Sequence, residues 1–296
     1  MTAAHGRIIP PAAWAYTLAM AVRDPERVTI RTLRRHAREG KPFAMLTCYD
    51  ATTARWLARA GVEALLVGDT AAIMLLGHET TNPVTVDFML QITAAVRRGA
   101  PHCFLMGDMP FMSYQIDDRE AVRHAGRFVT EGKADAVKLE VDATYENTVR
   151  GIARAGVAVV AHLGWRPQRQ AVHGTAVVAG RTPDKIAELV GLAKRMEDAG
   201  AAMLLLEATT AEAGAAVVEA VSIPVIGCGA GPSCHGHVVV LHDWLGLTDQ
   251  QPSFAPAAVE GGAFIEGAAR KWIELVESGG SLCRIRWPFS CGGGPS

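Results

Sequence analysis

The chain has 296 residues, 49% of them hydrophobic, and its 29 Lys and Arg face 30 Asp and Glu for a formal net charge of −1. This is the composition of a globular protein with a large apolar core, and it excludes a disordered chain, a collagen and a coiled coil. Because there is no basic excess to neutralise phosphates, nucleic acid is not expected as a partner.

Cysteine usage and the apolar runs together predict a cytoplasmic protein. The six cysteines form no Cys-x-x-Cys pair, and a chain of this length needs no disulfide framework. No run of 18 apolar residues is present, so no membrane-spanning helix is expected. Residues 8–22 resemble a secretory signal, but Pro10 and Pro11 interrupt the apolar stretch and only Arg7 precedes it as a basic residue. We therefore expect an N-terminal extension rather than a signal peptide.

Short apolar runs begin at residue 43 and are continuous rather than alternating, as in parallel strands buried on both faces. The runs span residues 43–50, 64–70, 103–109, 136–140, 157–164, 203–208, 224–230 and 237–242. Apolar residues at helical spacing predict helices over 51–60, 86–98, 117–131, 143–155, 182–199 and 210–220. Such repeated β–α units, eight within about 200 residues, favour a closed (β/α)8 TIM barrel forming a single domain.

An open doubly wound sheet is the alternative, because Gly227, Gly229 and Gly231 resemble a nucleotide-binding loop. Their Gly-x-Gly-x-Gly spacing lacks an acidic residue at the end of the next strand, which weakens this interpretation. After the barrel, apolar spacing over 262–278 predicts a C-terminal amphipathic helix. The expected organisation is an N-terminal extension over 1–27, a barrel domain over 28–278 and an irregular tail over 279–296.

Acidic residues stand at or near the carboxyl ends of four predicted strands: Asp69, Asp108, Glu140 and Glu207. In a barrel these ends surround one mouth, where active sites of this fold occur. Each residue alone could be a salt-bridged or capping side chain, but clustered carboxylates repel and need a cation or raised pKa values. Oxygen ligands with no neighbouring Cys/His pair favour Mg2+ over Zn2+. A 2-oxo acid could chelate such an ion, which would acidify the carbon next to its keto group.

Two further residues belong to the same predicted mouth. Lys138 lies two residues before Glu140, so both side chains share the inner face of a strand. Lys138 could form a structural ion pair with Glu140, hold a carboxylate or enolate oxygen of the substrate, or do both. His162 ends the fifth strand, where a polar contact is expected. Glu207 is separated in chain order from the other acids, which makes it the better candidate for a free general base.

Several motifs occur in one order along the chain: LTCYD (46–50), LLVGDT (65–70), DMPFMSY (108–114), VKLE (137–140), and AHLG with PQ (161–168). Together they resemble the ketopantoate hydroxymethyltransferase (3-methyl-2-oxobutanoate hydroxymethyltransferase) family over about residues 28–275. The resemblance implies a (β/α)8 barrel that transfers a hydroxymethyl group from 5,10-methylenetetrahydrofolate to 3-methyl-2-oxobutanoate. The product would be 2-dehydropantoate, in pantothenate biosynthesis, with Mg2+ as cofactor.

The resemblance also implies roles for individual residues. Asp69, Asp108 and Glu140 would form the metal site. Asp69, Thr70, Asp108, Lys138 and His162 would contact the 2-oxo acid. Glu207 would accept the proton. The partners implied are the small-molecule 2-oxo acid and a reduced folate, with no membrane and no nucleic acid, in a homo-oligomer that in this family is commonly a decamer with exchanged C-terminal helices.

The chain departs from the family pattern around these residues. Thr70 stands where the family usually has Ser. In the family, a Val-Pro pair comes one residue after the base, whereas here Glu207 is followed by Ala-Thr-Thr. Segments 173–181 and 232–237 differ as well. These differences leave open a different 2-oxo acid or one-carbon donor, or a C–C lyase of the phosphoenolpyruvate-mutase type, although no lyase-type catalytic Cys loop is evident. A non-catalytic assembly barrel is the third alternative, but a scaffold has no use for a charged interior.

Overall fold

Eight parallel strands close into a barrel in the computed structural model, which describes residues 26–174, 177–249 and 251–278. The strands are β1 (Phe43–Thr47), β2 (Ala64–Val67), β3 (Phe104–Asp108), β4 (Ala136–Glu140), β5 (Val159–Gly164), β6 (Met203–Glu207), β7 (Val225–Cys228) and β8 (Gly236–Val239). Each strand pairs with the next in the chain, and β8 pairs with β1. The predicted (β/α)8 barrel is therefore confirmed, and the open sheet is excluded.

The helices are α1 (Ile30–Glu39), α2 (Ala51–Arg59), α3 (Ala71–Met74), α4 (Val86–Gly99), α5 (Asp118–Thr130), α6 (Glu146–Arg154), α7 (Gln170–His173), α8 (Pro183–Asp198), α9 (Ala211–Ala220), α10 (Leu241–Trp244) and α11 (Gly261–Glu277). Every predicted helix is present, although the one expected over 143–155 starts with a 3-10 turn, Ala143–Tyr145. The run expected as a strand over 237–242 is shorter, because its last residues begin α10.

The longer outer helices begin at residues that suit a helix start. Asp50, Thr85, Asp117, Thr182 and Thr210 each have an extended backbone and accept a hydrogen bond from an N–H of the first turn. Such caps satisfy backbone donors that have no partner within the helix. They fix where the chain enters each helix after leaving the carboxyl end of a strand.

Helix α1 closes the amino end of the barrel, which the strand rhythm did not predict. Leu33 is fully buried in one cluster with Phe43 and Met45 from β1. Arg27, just before α1, forms an ion pair with Asp135 at 2.6 Å. The predicted extension and tail fall largely outside the described residues. Within the described part of the chain, no helix is long and apolar enough to cross a membrane.

The two-residue repeat of the strands places the candidate site directly above the inner core. On β3, Met106 belongs to the inner cluster, and Asp108 follows two residues later. On β6, Leu205 belongs to the same cluster and precedes Glu207 by the same spacing. Because alternate side chains share a face of a strand, the apolar interior continues into polar groups at the carboxyl end. The fold thus presents these groups to one mouth.

Candidate active site

All of the predicted site residues line one cavity of about 290 Å³ at the carboxyl ends of the strands. They are Asp69, Thr70, Asp108, Lys138, Glu140, His162 and Glu207. Strand pairing accounts for this, since Asp108 lies beside Lys138 and Glu140 lies beside His162 in the sheet register. The convergence expected from the sequence is therefore present.

Asp108 is a buried acid of the cluster that contacts both Lys138 and Asp69. Its Oδ2 lies 2.8 Å from Lys138 Nζ and accepts a hydrogen bond from the backbone N–H of Asp69 at 3.2 Å. Its Oδ1 is buried and has no hydrogen-bond partner among the described residues. Asp69 stands in the turn after β2, two residues beyond the strand end, rather than at the end of the strand itself. One carboxylate oxygen of the site is thus left for a ligand.

Lys138 pairs with Asp108, and within the described residues no ion pair with Glu140 is found. Glu140 instead accepts hydrogen bonds at 3.2 and 3.1 Å on its two oxygens from the backbone N–H of Gln168. The structural ion pair considered for Lys138 therefore exists with a different partner. The reason is register: Asp108 lies directly beside Lys138 on the neighbouring strand, whereas Glu140 lies two residues away on the same strand.

Three carboxyl groups share this region with one ammonium group. Burial raises the pKa of Asp108 to about 8, against the lowering effect of Lys138 and with a further rise from Asp69. Burial likewise raises the pKa of Glu140 to about 9, again opposed by Lys138. The pKa of Lys138 is raised because the surrounding carboxylates outweigh its burial. The mouth therefore has too little positive charge for its acids, and a cation would relieve this deficit.

His162 connects Lys138 to Glu207. Lys138 Nζ is 3.3 Å from His162 Nδ1, and because an ammonium group only donates, Nδ1 must accept. The proton of the neutral ring then belongs on Nε2, which lies 3.3 Å from Glu207 Oε2 without the alignment of a full hydrogen bond. Burial and Lys138 lower the pKa of His162, which favours this neutral form. The N–H of a neutral His162 then points towards Glu207 Oε2.

Glu207 differs from the other acids in its exposure. Its side chain is 24% exposed, whereas that of Glu140 is 1% exposed. Ala208, which follows it, has a left-handed φ of 48°, so the chain turns sharply away from β6 immediately after the acid. Glu207 therefore faces the cavity while keeping access to solvent, which suits a group that must take up and release a proton.

Gln168 is the residue that the sequence reasoning missed. Its side chain is buried and donates to Asp69 Oδ2 at 2.9 Å and to the carbonyl of Met109 at 3.0 Å, and it accepts from the Tyr114 hydroxyl at 2.8 Å. With its backbone N–H on Glu140, Gln168 connects two of the candidate metal acids. The only signal in the sequence was the Pro-Gln pair of the 161–168 motif, to which no role was given.

Thr70 begins α3 and presents a hydroxyl to the cavity. Its Oγ1 lies 2.7 Å from the hydroxyl of Tyr49, a second residue that was not predicted. Burial raises the pKa of Tyr49 to about 12, so this phenol stays protonated at neutral pH. The replacement of Ser by Thr therefore keeps a hydroxyl and fixes its orientation through a neighbour.

The residues present fit a magnesium ion held by few protein ligands. The buried and unpartnered Oδ1 of Asp108, beside Asp69, provides hard oxygen donors in a cluster short of positive charge. Among the described residues, no three His, Cys, Asp or Glu side chains are grouped so that they could hold a metal together. Mg2+ commonly uses one or two carboxylates and completes its octahedron with water and substrate. The pair Asp69 and Asp108 meets that need, and Glu140 as a third ligand stays a prediction.

Comparison with known proteins places this geometry in a family. A family model described as ketopantoate hydroxymethyltransferase matches residues 27–280. The chain belongs to the ketopantoate hydroxymethyltransferase family. It is 41% identical over 254 residues to a 3-methyl-2-oxobutanoate hydroxymethyltransferase of Hyperthermus butylicus, covering 86% of this chain and 88% of that one. The protein of the same name from Anaeromyxobacter dehalogenans is 43% identical over 256 residues, covering 85% and 84%. The chain is thus an enzyme of the hydroxymethyltransferase type.

Solved structures support the barrel. A phosphoenolpyruvate phosphomutase from Streptomyces platensis subsp. rosaceus matches with a TM-score of 0.60 and 12% identity, covering 86% of this chain and 90% of that one. A 2,3-dimethylmalate lyase of the PEP mutase/isocitrate lyase superfamily matches with a TM-score of 0.56 and 17% identity, covering 88% and 92%. At these identities the likeness concerns the fold alone.

Proposed function

We propose that the protein transfers a hydroxymethyl group from 5,10-methylenetetrahydrofolate to 3-methyl-2-oxobutanoate, giving 2-dehydropantoate, with Mg2+ as cofactor. The observation that carries the proposal is the single cavity in which the unpartnered oxygen of Asp108 and the ammonium of Lys138 lie with Glu207. The names of the relatives supply the acceptor, 3-methyl-2-oxobutanoate. Pantothenate biosynthesis is the pathway to which this product belongs.

The 2-oxo acid binds at the acidic end of the cavity. Asp69 and Asp108 would hold Mg2+, which would polarise the keto group and so acidify the neighbouring carbon. The buried ammonium of Lys138 provides a fixed positive charge for a substrate oxygen as negative charge develops on it. The hydroxyl of Thr70, oriented by Tyr49, donates to the carboxylate of the acid.

Glu207 removes the proton from carbon 3 of the bound acid. The neutral ring of His162 lies against Oε2 of Glu207 on its buried side and so positions the base. The carbon so activated attacks the methylene carbon of the folate as one of the two bonds from that carbon to folate nitrogens breaks. Water then attacks the same carbon and the second carbon–nitrogen bond breaks, so that water supplies the hydroxyl group of the product. The proton taken from carbon 3 by Glu207 and one proton of the water end on the two nitrogens, and tetrahydrofolate leaves. The partial exposure of Glu207 permits that exchange of protons with solvent.

The protein acts as a homo-oligomer in this proposal. Helix α11 has no buried residue, and it exposes Phe264 (78%), Ile265 (58%) and Ile273 (53%). A groove of about 710 Å³ lined by Leu245, Leu247, Phe264 and others adjoins it. A large exposed apolar surface on a helix is typical of a protein–protein interface. A second copy of the chain would cover it if the two copies exchanged their α11 helices. Analytical ultracentrifugation tests this, and a monomer at micromolar concentration would contradict it.

A substrate panel tests the reaction. The protein is incubated with Mg2+, 5,10-methylenetetrahydrofolate and a series of 2-oxo acids, and products are identified by mass spectrometry. We expect 2-dehydropantoate from 3-methyl-2-oxobutanoate, its loss in Glu207→Gln, and its retention in Glu212→Gln, a matched change on the exposed first turn of α9. Preference for another acid would overturn the substrate. Folate-independent cleavage of longer acids would overturn the reaction in favour of a lyase.

A further inference from the structure

A second cavity, of about 390 Å³, lies beside the mouth and has no role in the chemistry described so far. One wall is a face of α8 that includes Lys185, Leu189 and Leu192, and the other is the segment 177–181. We call this cavity the side groove.

The side groove begins one backbone strand away from Glu207. Gly164 lines the groove and pairs with Glu207 in the sheet, and the next residue, Trp165, lines the mouth. From the other side, the backbone N–H of Ala179 donates to the carbonyl of Ala208 at 2.8 Å. Trp165 and the Ala179–Ala208 contact thus lie between the mouth and the side groove, and a ligand long enough to pass over them would occupy both cavities.

The side groove combines apolar walls with surplus positive charge. Arg166 forms an ion pair with Asp142 at 2.7 Å, and Arg169 shares the same carboxylate oxygen. Among the described residues, the one ion-pair partner of Lys185 is Glu188, one turn along α8, and both side chains are more than half exposed. Arg181 has no ion pair with any side chain of the described residues and is exposed at the groove rim. A flat apolar ligand with carboxylates at its outer end would match this arrangement.

We propose that the side groove binds the p-aminobenzoyl-glutamate tail of the reduced folate, with Arg181 and Lys185 facing its carboxylates. The inference rests on the proposed function, because it takes the folate as one-carbon donor. The reacting methylene must reach the acid beside Glu207, and the mouth, at about 290 Å³, must also hold that acid. The rest of the folate must then leave the mouth, and its aromatic ring and carboxylates suit the apolar wall and the cations of the groove.

The test reverses the two charges in an Arg181→Glu/Lys185→Glu variant. Both residues are exposed, so the barrel should fold. We expect the KM for 5,10-methylenetetrahydrofolate and the Kd for tetrahydrofolate to rise on the order of tenfold, because like charges would then face the tail. Adding glutamates to the tail should tighten binding to the wild type and not to the variant. Folate-free deuterium uptake by 3-methyl-2-oxobutanoate should be unchanged.

Arg154→Glu, at the outer end of α6 and away from the mouth, is the matched control and should change none of these values. A change of less than twofold in the double variant, or an equal change in the control, would overturn the groove assignment while leaving the reaction intact. Absence of deuterium uptake and of product in the wild type would instead overturn the proposed function. In that case the Kd for tetrahydrofolate, compared between the wild type and the double variant, still tests whether the side groove binds the tail.

Discussion

Replacing Gln168 with Met tests whether one buried amide organises the acids of the mouth. Methionine keeps the length and flexibility of glutamine and removes every side-chain hydrogen bond. The bonds lost are those donated to Asp69 Oδ2 and to the carbonyl of Met109, and those accepted from Tyr114 and from Gln115. The Tyr114 hydroxyl still bonds to the backbone of Glu140, so its loss is small.

The magnitude follows from the two acceptors left without a donor. A hydrogen bond to a charged group contributes about 1.5–3 kcal/mol and a neutral buried one about 1 kcal/mol, so we expect a loss of about 3 kcal/mol in the free energy of unfolding. Activity per folded molecule should fall by about 10–100-fold, as for residues that orient metal ligands. Urea unfolding followed by fluorescence gives the first value, and initial rates under native conditions give the second.

Gln115→Met is the matched control. Gln115 donates to Gln168 at 3.2 Å and, among the described residues, forms no hydrogen bond with an acid of the site, so we expect a loss below about 1.5 kcal/mol and less than a threefold change in rate. If Gln168→Met were within about 1 kcal/mol of this control and retained its rate, Gln168 would merely fill space, and the reasoning from its contacts would be refuted.

Three further changes probe the site and its surroundings. Lys138→Met should lower the free energy of unfolding by roughly 3 kcal/mol, because it leaves Asp108 buried without its cation. Adding Asp108→Asn should restore part of this lost stability. A double variant no more stable than Lys138→Met would contradict the pairing. Asp142→Asn tests a pH dependence: burial opposes ionisation of Asp142, but its hydrogen bonds lower the pKa to about 2. A carboxyl group whose pKa is lowered by folding stabilises the folded state at pH values above its ordinary pKa. This stabilisation is lost as the pH falls through the pKa of the folded state. The variant should therefore be less stable by about 1 kcal/mol at pH 7, after allowance for partial exposure, with a gap in urea midpoint that narrows below pH 4. A difference in urea midpoint that does not change with pH would contradict a stabilising role for the charge of Asp142. Gly164→Ala should lower the free energy of unfolding by about 3 kcal/mol, because φ is +94° and a Cβ would lie 2.2 Å from the carbonyl oxygen of Glu207. Gly126→Ala, inside α5 with open space around it, should instead raise the free energy of unfolding by about 0.5–1 kcal/mol. Equal melting temperatures of the two variants would contradict this steric account.

The strands and most of the site were predictable because one rule governs both. Buried parallel strands have continuous apolar sequences, so an acid at the end of such a run is conspicuous, and the barrel brings those ends together. Asp108, Glu140 and Glu207 were found in this way. Asp69 was assigned to the correct mouth even though its strand ends two residues earlier, since the turn keeps it there.

What the sequence did not reveal depends on contacts between distant segments. Gln168 lies in a short 3-10 turn, Pro167–Arg169, and a single neutral amide carries no signature until Asp69, 99 residues away, is placed against it. Helix α1 was missed because its sequence, IRTLRRHARE, is mostly polar and only Leu33 and His36 are buried. The partner of Lys138 depended on sheet register, which spacing within one strand could not give.

Deuterium uptake by 3-methyl-2-oxobutanoate in D2O, without folate, tests the central claim most directly. The account predicts exchange at carbon 3 that requires Mg2+, disappears in Glu207→Gln with Mg2+ binding retained, and disappears together with Mg2+ binding in Asp108→Ala. Exchange that persists in Glu207→Gln, or that proceeds at full rate without a divalent cation, would contradict the assignment of the base and of the acidic cluster.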